Sequence, residues 1–221
     1  FRVNTYTTSD QAFPAVASDS SGNFVVVWAS EYQDGSVWGV FGQRYAGTGA
    51  PLGPEFRVNT YTTSFQDAPA VASDSSGNFV VVWRSYSQDG SGEGVFGQRY
   101  DSTGAPLGPE FGVNTYTTNW QDEPAVASDS SGSFVVVWSS PQDGSGVFGQ
   151  RYDGTGAPLG AEFRVNTYTP VSLGQPAVAS DASGNFVVVW RNYSQDGSKW
   201  GVFGQRYRAI VPVELMRFGV E

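Results

Sequence analysis

Residues 14–28 read PAVASDSSGNFVVVW, and the same string returns at 69–83. It recurs with one change at 124–138 (PAVASDSSGSFVVVW) and again at 176–190 (PAVASDASGNFVVVW). Each copy holds two apolar runs. The first, PAVASD, is short. The second, FVVVW, is β-branched and aromatic with apolar residues at successive positions, the pattern of a strand buried on both faces. Between them DSSGN supplies the Asp, Gly and Asn that a tight turn needs where φ is positive. Two strands and their turn are thus set by fifteen residues.

Working outward from Trp28, GVFGQRY (39–45) alternates in its second half and reads as a third strand. GTGAPLG (47–53) turns the chain, and EFRVN (55–59) alternates apolar and polar as a fourth. The fourth-strand motif marks the period. FRVNTYT begins at Phe1, Phe56 and Phe163, FGVNTYT at Phe111 and FGVE at Phe218, so the spacings are 55, 55, 52 and 55 residues. No stretch of ten residues carries a 3.6-residue period. Four strands repeated four times predict an all-β chain. The expected architecture is a four-bladed β-propeller of four-stranded antiparallel blades. Half of an eight-bladed ring and a β-solenoid are the alternatives. The organisation expected is one repeat domain over 1–221, with blades at approximately 14–59, 69–114, 124–166 and 176–221. Residues 1–13 form an extra N-terminal strand and loop. Trp28, Trp83, Trp138 and Trp190, which end the second strands, are expected between blades, where large aromatics bury most area.

Four units provide four fourth-strand places, but five segments fit them. Phe1–Asn4 and Phe218–Glu221 contend for one outer edge. Self-association through these terminal strands is therefore a possible partner mode, since an open edge invites pairing.

Twelve Lys+Arg against 21 Asp+Glu leave a net charge of −9, which argues against a nucleic-acid partner. No run approaches the roughly 18 apolar residues of a spanning helix, so membrane insertion is not expected. The chain has neither Cys nor His. That removes disulfides, thiolate and imidazole metal sites and any triad with a His base.

The string PAVASDSSGNFVVVW…QDGS…GVFGQRYD-x-TGAPLG-x-EFRVNTYTT resembles a repeat of bacterial secreted and surface proteins, and the likeness runs over nearly the whole chain. The resemblance implies a propeller-like repeat and an extracellular or cell-surface location. It implies no defined activity and brings no catalytic residues.

In a propeller the second-to-third and fourth-to-first connections share one face. Units one and two differ at ten of 55 positions, and eight of these (10, 12, 13, 29, 31, 32, 37 and 38) fall on that face or at its edge. Its loops carry Trp38, Trp120, Trp200, Tyr32, Tyr86 and Tyr193. Beside them lie the QDGS pairs Gln33 and Asp34, Gln88 and Asp89, Gln142 and Asp143, Gln195 and Asp196. Aromatic rings beside planar amides and carboxylates suit a sugar, so these residues form the expected ligand-binding face. QDGS also reads as a plain turn former. No cofactor is expected. Calcium is the one ion left open, although Asp-Gly-Ser lacks the alternating ligands of a calcium loop and DSSGN offers a single carboxylate. Arg44, Arg99, Arg151 and Arg206, from the four GQRY copies, are expected to pair with a carboxylate of their own unit, such as Glu55 or Asp19.

A glycosidase needs two carboxylates in unlike environments. The unique acids Asp10, Glu31, Asp67, Glu93, Asp122 and Glu123 show no pairing in sequence, and no sialidase-type S-x-D-x-G-x-T-W order is present. The expectation is therefore a non-enzymatic binding module, with multivalent carbohydrate binding or adhesion to an extracellular glycan or surface polymer. The alternative is a structural subunit of an extracellular filament or surface array built by strand exchange.

Overall fold

In the computed structural model, which describes residues 1–168 and 172–209, each FVVVW run is the middle of a four- or three-stranded antiparallel sheet. Blade 1 comprises β1 (Gln11–Ser18), β2 (Phe24–Glu31), β3 (Trp38–Tyr45) and β4 (Phe56–Arg57). Blade 2 comprises β5 (Gln66–Ser73), β6 (Phe79–Tyr86), β7 (Glu93–Tyr100) and β8 (Phe111–Gly112). Blade 3 comprises β9 (Asp122–Ser128), β10 (Phe134–Ser140), β11 (Gly146–Tyr152) and β12 (Phe163–Arg164). Blade 4 comprises β13 (Leu173–Ser180), β14 (Phe186–Tyr193) and β15 (Trp200–Tyr207). Within each blade the strands pair in chain order. The segment Phe218–Glu221, one of the two contenders for the outer place in blade 4, lies outside the described residues. Four blades of antiparallel strands stand side by side, as expected of a four-bladed β-propeller, with blades 2 and 3 flanked on both sides and blades 1 and 4 each on one among the described residues. The first strands β1, β5, β9 and β13 approach one another most closely across blades and so lie nearest the axis. Among the described residues no helix is long and apolar enough to cross a membrane.

The turn chemistry follows the sequence. Asp19 Oδ1 accepts from the backbone N–H of Ser21 (2.8 Å) and Asn23 (2.9 Å), while Gly22 takes φ 81°. Asp74, Asp129 and Asp181 repeat the arrangement. Strand limits differ from the motif limits. The first strand begins at Gln11, three residues ahead of Pro14, because Phe13 bulges out with φ 53° and the ladder resumes behind it. The fourth strand is shorter than EFRVN, because Asn59 Oδ1 replaces a backbone acceptor and takes the Val40 N–H at 2.7 Å.

Three interfaces of one design join the blades. Val25, Val27, Val40 and Val58 of blade 1 meet Phe79, Val81, Trp83 and Tyr100 of blade 2. Equivalent residues join blades 2 and 3 and blades 3 and 4. Trp83, Trp138 and Trp190 are buried between blades, as expected, whereas Trp28 is buried without belonging to an inter-blade cluster. At the rim the repeated arginines behave otherwise than expected. Arg44 donates to the backbone carbonyls of Ser102 (2.7 Å) and Thr103 in the next blade, and Arg99 to those of Gly154 (2.6 Å) and Thr155. Arg151 lies 4.7 Å from the Phe186 ring centroid. None of these three takes its own unit's carboxylate. Arg44 and Arg99 span the seam between sheets and reach carbonyls in the turn that follows the next blade's third strand.

Two expectations follow. Trp83→Ala should lower the unfolding free energy by about 3–5 kcal/mol in urea denaturation, because Trp83 is fully enclosed by two blades. The second concerns pH. Asp101 and Asp153 are held below the ordinary carboxylate range, first by the hydroxyls of Thr103 and Thr155 and then by backbone N–H groups. A depressed folded-state value stabilises above the unfolded value of about 3.9 and is lost as pH falls through the folded value. Asp101→Asn should therefore lower the melting temperature at pH 7, and the gap from the parent should narrow as pH falls below about 3.9 and through the depressed folded value.

Candidate functional site

The bulge sets up the site. At equivalent places in the four innermost strands, Phe13, Ala68, Glu123 and Gln175 take φ between 49° and 53°. Bulges re-aim side chains, and positive φ in a non-glycine residue is held only where the surroundings enforce it. Here they sit at the start of each inner strand beside the variable face. The residue just before the bulge has a cross-strand partner. That pair is Ala12 and Ala29 in blade 1, Asp67 and Arg84 in blade 2, Asp122 and Ser139 in blade 3, and Gly174 and Arg191 in blade 4. One pair of positions on a repeated scaffold thus carries four different chemistries.

Blades 2, 3 and 4 bring these residues together. Arg84 holds Asp67 in a two-pronged contact, Nε to Oδ1 at 2.8 Å and Nη2 to Oδ2 at 2.8 Å. Its Nη1 reaches across to Asp122 Oδ2 of blade 3 at 2.9 Å. The Asp67 side chain is 7% exposed and that of Asp122 30%. The hydrogen bonds to Asp67 hold the Arg84 guanidinium proton more tightly than usual, against the opposing effect of burial; the charges of Asp122 and Glu93 add to this. Asp122 Oδ1 accepts from the Glu123 N–H at 2.6 Å. Glu123 itself meets neutral donors: its Oε2 accepts from Ser139 Oγ at 3.0 Å and from the Gln175 N–H of blade 4 at 2.5 Å. Room for that contact comes from Gly174, where an added Cβ would lie 2.6 Å from Glu123 Oε2.

Two carboxylates adjacent in sequence therefore stand in unlike surroundings, Asp122 on a cation and Glu123 among neutral donors. The sequence reading left these acids unpaired. The signal that could have found them was the joint change of Ala12 and Ala29 to Asp67 and Arg84, opposite charges at positions that face each other across two strands.

The expected ligand-face residues divide. Tyr32, Tyr86, Tyr193, Trp120 and Trp200 are exposed, while Trp38 is half-buried with its ring 6.3 Å from that of Phe13. Tyr193 packs edge-on to Trp200, and Arg191 lies over that Trp at 4.5 Å. Phe65 and Tyr86, also edge-on, lead into Asp67 and out of Arg84, and Trp120 leads into Asp122. The polar partners mostly hold the loops. Asp34, Asp89 and Asp196 each accept the N–H two residues on. Gln33 and Gln88 donate to Glu55 and Glu110, and Gln195 accepts from Asn192 at 2.7 Å. The Gln142 N–H donates to Ser140 Oγ at 3.2 Å, and Asp143 takes φ 53°.

No protein-family model matches the sequence, and no curated protein matches it. Solved structures share the fold. An endo-arabinase from Bacteroides thetaiotaomicron superposes with a TM-score of 0.53 at 12% identity, covering 95% of this chain and 80% of that one. A Hadza microbial sialidase gives 0.58 at 11%, covering 88% and 44%. An α-L-arabinanase from Penicillium chrysogenum, complexed with arabinobiose, gives 0.56 at 14%, covering 89% and 57%. The chain thus spans about half the length of the last two. At such identities the likeness is one of fold.

These findings correct the functional expectation. A non-enzymatic binding or adhesion module, and its alternative as a structural subunit, rested on acids without partners and on repeats without individuality. The solved structures named above are of glycan-processing enzymes, and of the unique acids Asp67 and Asp122 meet on Arg84 while Glu123, next to Asp122 in sequence, bonds to Ser139 and the Gln175 N–H. Near-identity of the blades hid this, because the differing residues are few and lie far apart in the chain.

Removing the central cation should be costly. Arg84→Met leaves Asp67 buried without a partner and should destabilise the fold by about 3 kcal/mol. Adding Asp67→Leu should recover most of the loss in thermal denaturation, since an apolar pair can replace a buried ion pair.

Proposed function

We propose that the protein hydrolyses a neutral polysaccharide at the mouth of the propeller, with Glu123 and Asp122 as the working carboxylates. The observation that carries this reading is their unlike setting, one carboxylate on Arg84 and the other on the Ser139 hydroxyl and the Gln175 N–H. Acid and base roles separate when two carboxyl groups sit in different environments. In the proposed step Glu123 gives its proton to the glycosidic oxygen as the bond to the anomeric carbon breaks. Water adds to that carbon, and Asp122 takes the water's proton. Arg84 and Asp67 position Asp122. The exposed rings of Tyr86 and Trp120 offer flat apolar surfaces for sugar units on either side.

The substrate class follows from charge. A net charge of −9 and three acids at the mouth disfavour an anionic glycan. The fold shared with an arabinase and an arabinanase supports the same class. Polymeric glycans are met outside the cell, so the reading implies an extracellular site of action. The resemblance of the repeat to those of bacterial secreted proteins supports it.

The test is release of reducing ends from linear arabinan, xylan and a sialylated glycan. The parent should act on a neutral polymer. Glu123→Gln and Asp122→Asn should each lower the rate roughly 10²–10⁴-fold, the usual contribution of a positioned acid or base. Trp120→Ala should mainly raise KM. If the folded parent acts on none of the neutral polymers, or if Glu123→Gln keeps full activity, the reading is wrong.

A further inference from the structure

We propose that the two end blades are docking surfaces for each other in trans, so that two copies of this chain close into one ring. Blade 4 of each copy seats on blade 1 of the other, and Phe1–Asn4 takes the outer-strand place beside that docked blade.

The first observation is an interface with only half its parts at each end. Val27, Val82 and Val137, and likewise Val40, Val95 and Val147, are wholly buried by the following blade. Their counterparts in blade 4, Val189 and Val202, are 37% and 79% exposed. On the opposite end Val16 of blade 1 is 63% exposed, whereas its counterpart Val71 is buried against blade 1. The two exposed faces are thus the halves that the three internal interfaces join. Their polar seam is continued as well. Arg206 is exposed at the position from which Arg44 and Arg99 clamp the next blade. The matching acceptors in blade 1 are the carbonyls of Gly47 and Thr48. One seam hydrogen bond is lost, since Ala182 stands where Ser20, Ser75 and Ser130 donate to the next blade.

The second observation is the place of the N-terminal segment. Tyr45 Oη donates to the Val3 carbonyl at 3.3 Å, as Tyr100 does to Val58 at 3.3 Å and Tyr152 to Val113 at 3.4 Å. The Thr5 N–H donates to Glu55 at 2.7 Å, as that of Thr60 does to Glu110 at 2.6 Å. Residues 1–4 therefore lie where the outer strand of a blade preceding blade 1 belongs. In the internal blades the phenylalanine of that strand covers a third-strand glycine: Phe56 over Gly42, Phe111 over Gly97 and Phe163 over Gly149. Phe1 is 88% exposed and lies beside no third strand of its own blade's predecessor. Gly204 is the equivalent glycine of blade 4.

A second copy is the occupant because the two exposed faces are the complementary halves of an interface that this chain already makes three times, and among the described residues blades 1 and 4 do not cover each other. Packing of the same residues three times sets one blade-to-blade rotation, and after three steps the end faces still stand exposed. A head-to-tail contact between identical chains closes when the rotation permits, and closed assemblies are the common outcome.

Sedimentation equilibrium of the full chain, with a monomer mass of 23.7 kDa, tests this over a wide concentration range. The expected result is a species of two copies that does not grow further. Val16→Glu and Val202→Glu should each raise the dissociation constant by roughly 100-fold or more, since each buries an unpaired charge. Mixing the two variants should restore a two-copy species, because one undamaged interface remains, and this control separates a lost interface from a misfolded chain. Deleting residues 1–4 should weaken the pair. A monomer at every concentration, or a mass that keeps rising, overturns the closed pair. Failure of the mixed variants to associate overturns the assignment of the faces. An unchanged pair on deletion of residues 1–4 overturns the role of that strand and assigns its place to the C-terminal tail.

Discussion

Trp83, Trp138 and Trp190 each stand on the face that a blade turns to its predecessor, packed against the valines of that predecessor's two central strands. A four-stranded sheet of about fifty residues has two apolar faces and too little volume between them to fold alone. Stacking sheet on sheet through these residues resolves that deficit. It also explains why FVVVW is apolar at consecutive positions, where a one-sided sheet would alternate. Everything else in the molecule hangs on this repeated contact, from the arginine clamps at the rim to the near-constant place of each bulge.

A scaffold so uniform frees a small set of positions from structural duty. The innermost strands begin with a bulge whose geometry barely changes between φ 49° and 53°, whether the residue is Phe13, Ala68, Glu123 or Gln175. The apolar clusters between blades contain none of these side chains, so they can differ. Their differences are what make a site from symmetric parts. Arg84 reaches Asp122 because blades 2 and 3 stack at a fixed distance, and Glu123 reaches the Gln175 N–H because Gly174 leaves a gap in blade 4.

Charge gives the site its internal contrast. Asp67 is buried and tolerates burial only because Arg84 is two-pronged and itself still partly exposed. Glu123, one residue from Asp122, has no cation among its hydrogen-bond partners and relies on Ser139 and a backbone N–H. The same face that carries the exposed aromatic rings therefore also carries two acids of unlike setting, while the QDGS groups that looked chemically available mainly stabilise their own loops.

The strands, their order within each blade, the turns and the burial of the four tryptophans were legible in the sequence, because each depends on residues within one repeat and on a two-residue period. The variable face was legible too, from where units one and two differ. The meeting of Asp67, Arg84, Asp122 and Glu123 was not. It depends on the stacking of separate blades, on a bulge that shifts the register behind Gln66 and Gln121, and on the absence of a side chain at Gly174 in a third blade. Only the tertiary structure brings residues 38 and 52 positions apart into contact at one mouth, and only it shows which faces remain uncovered once three interfaces of one design are made. Local pattern determines the strand and its faces; the distance and rotation between packed sheets determine which chemistry meets.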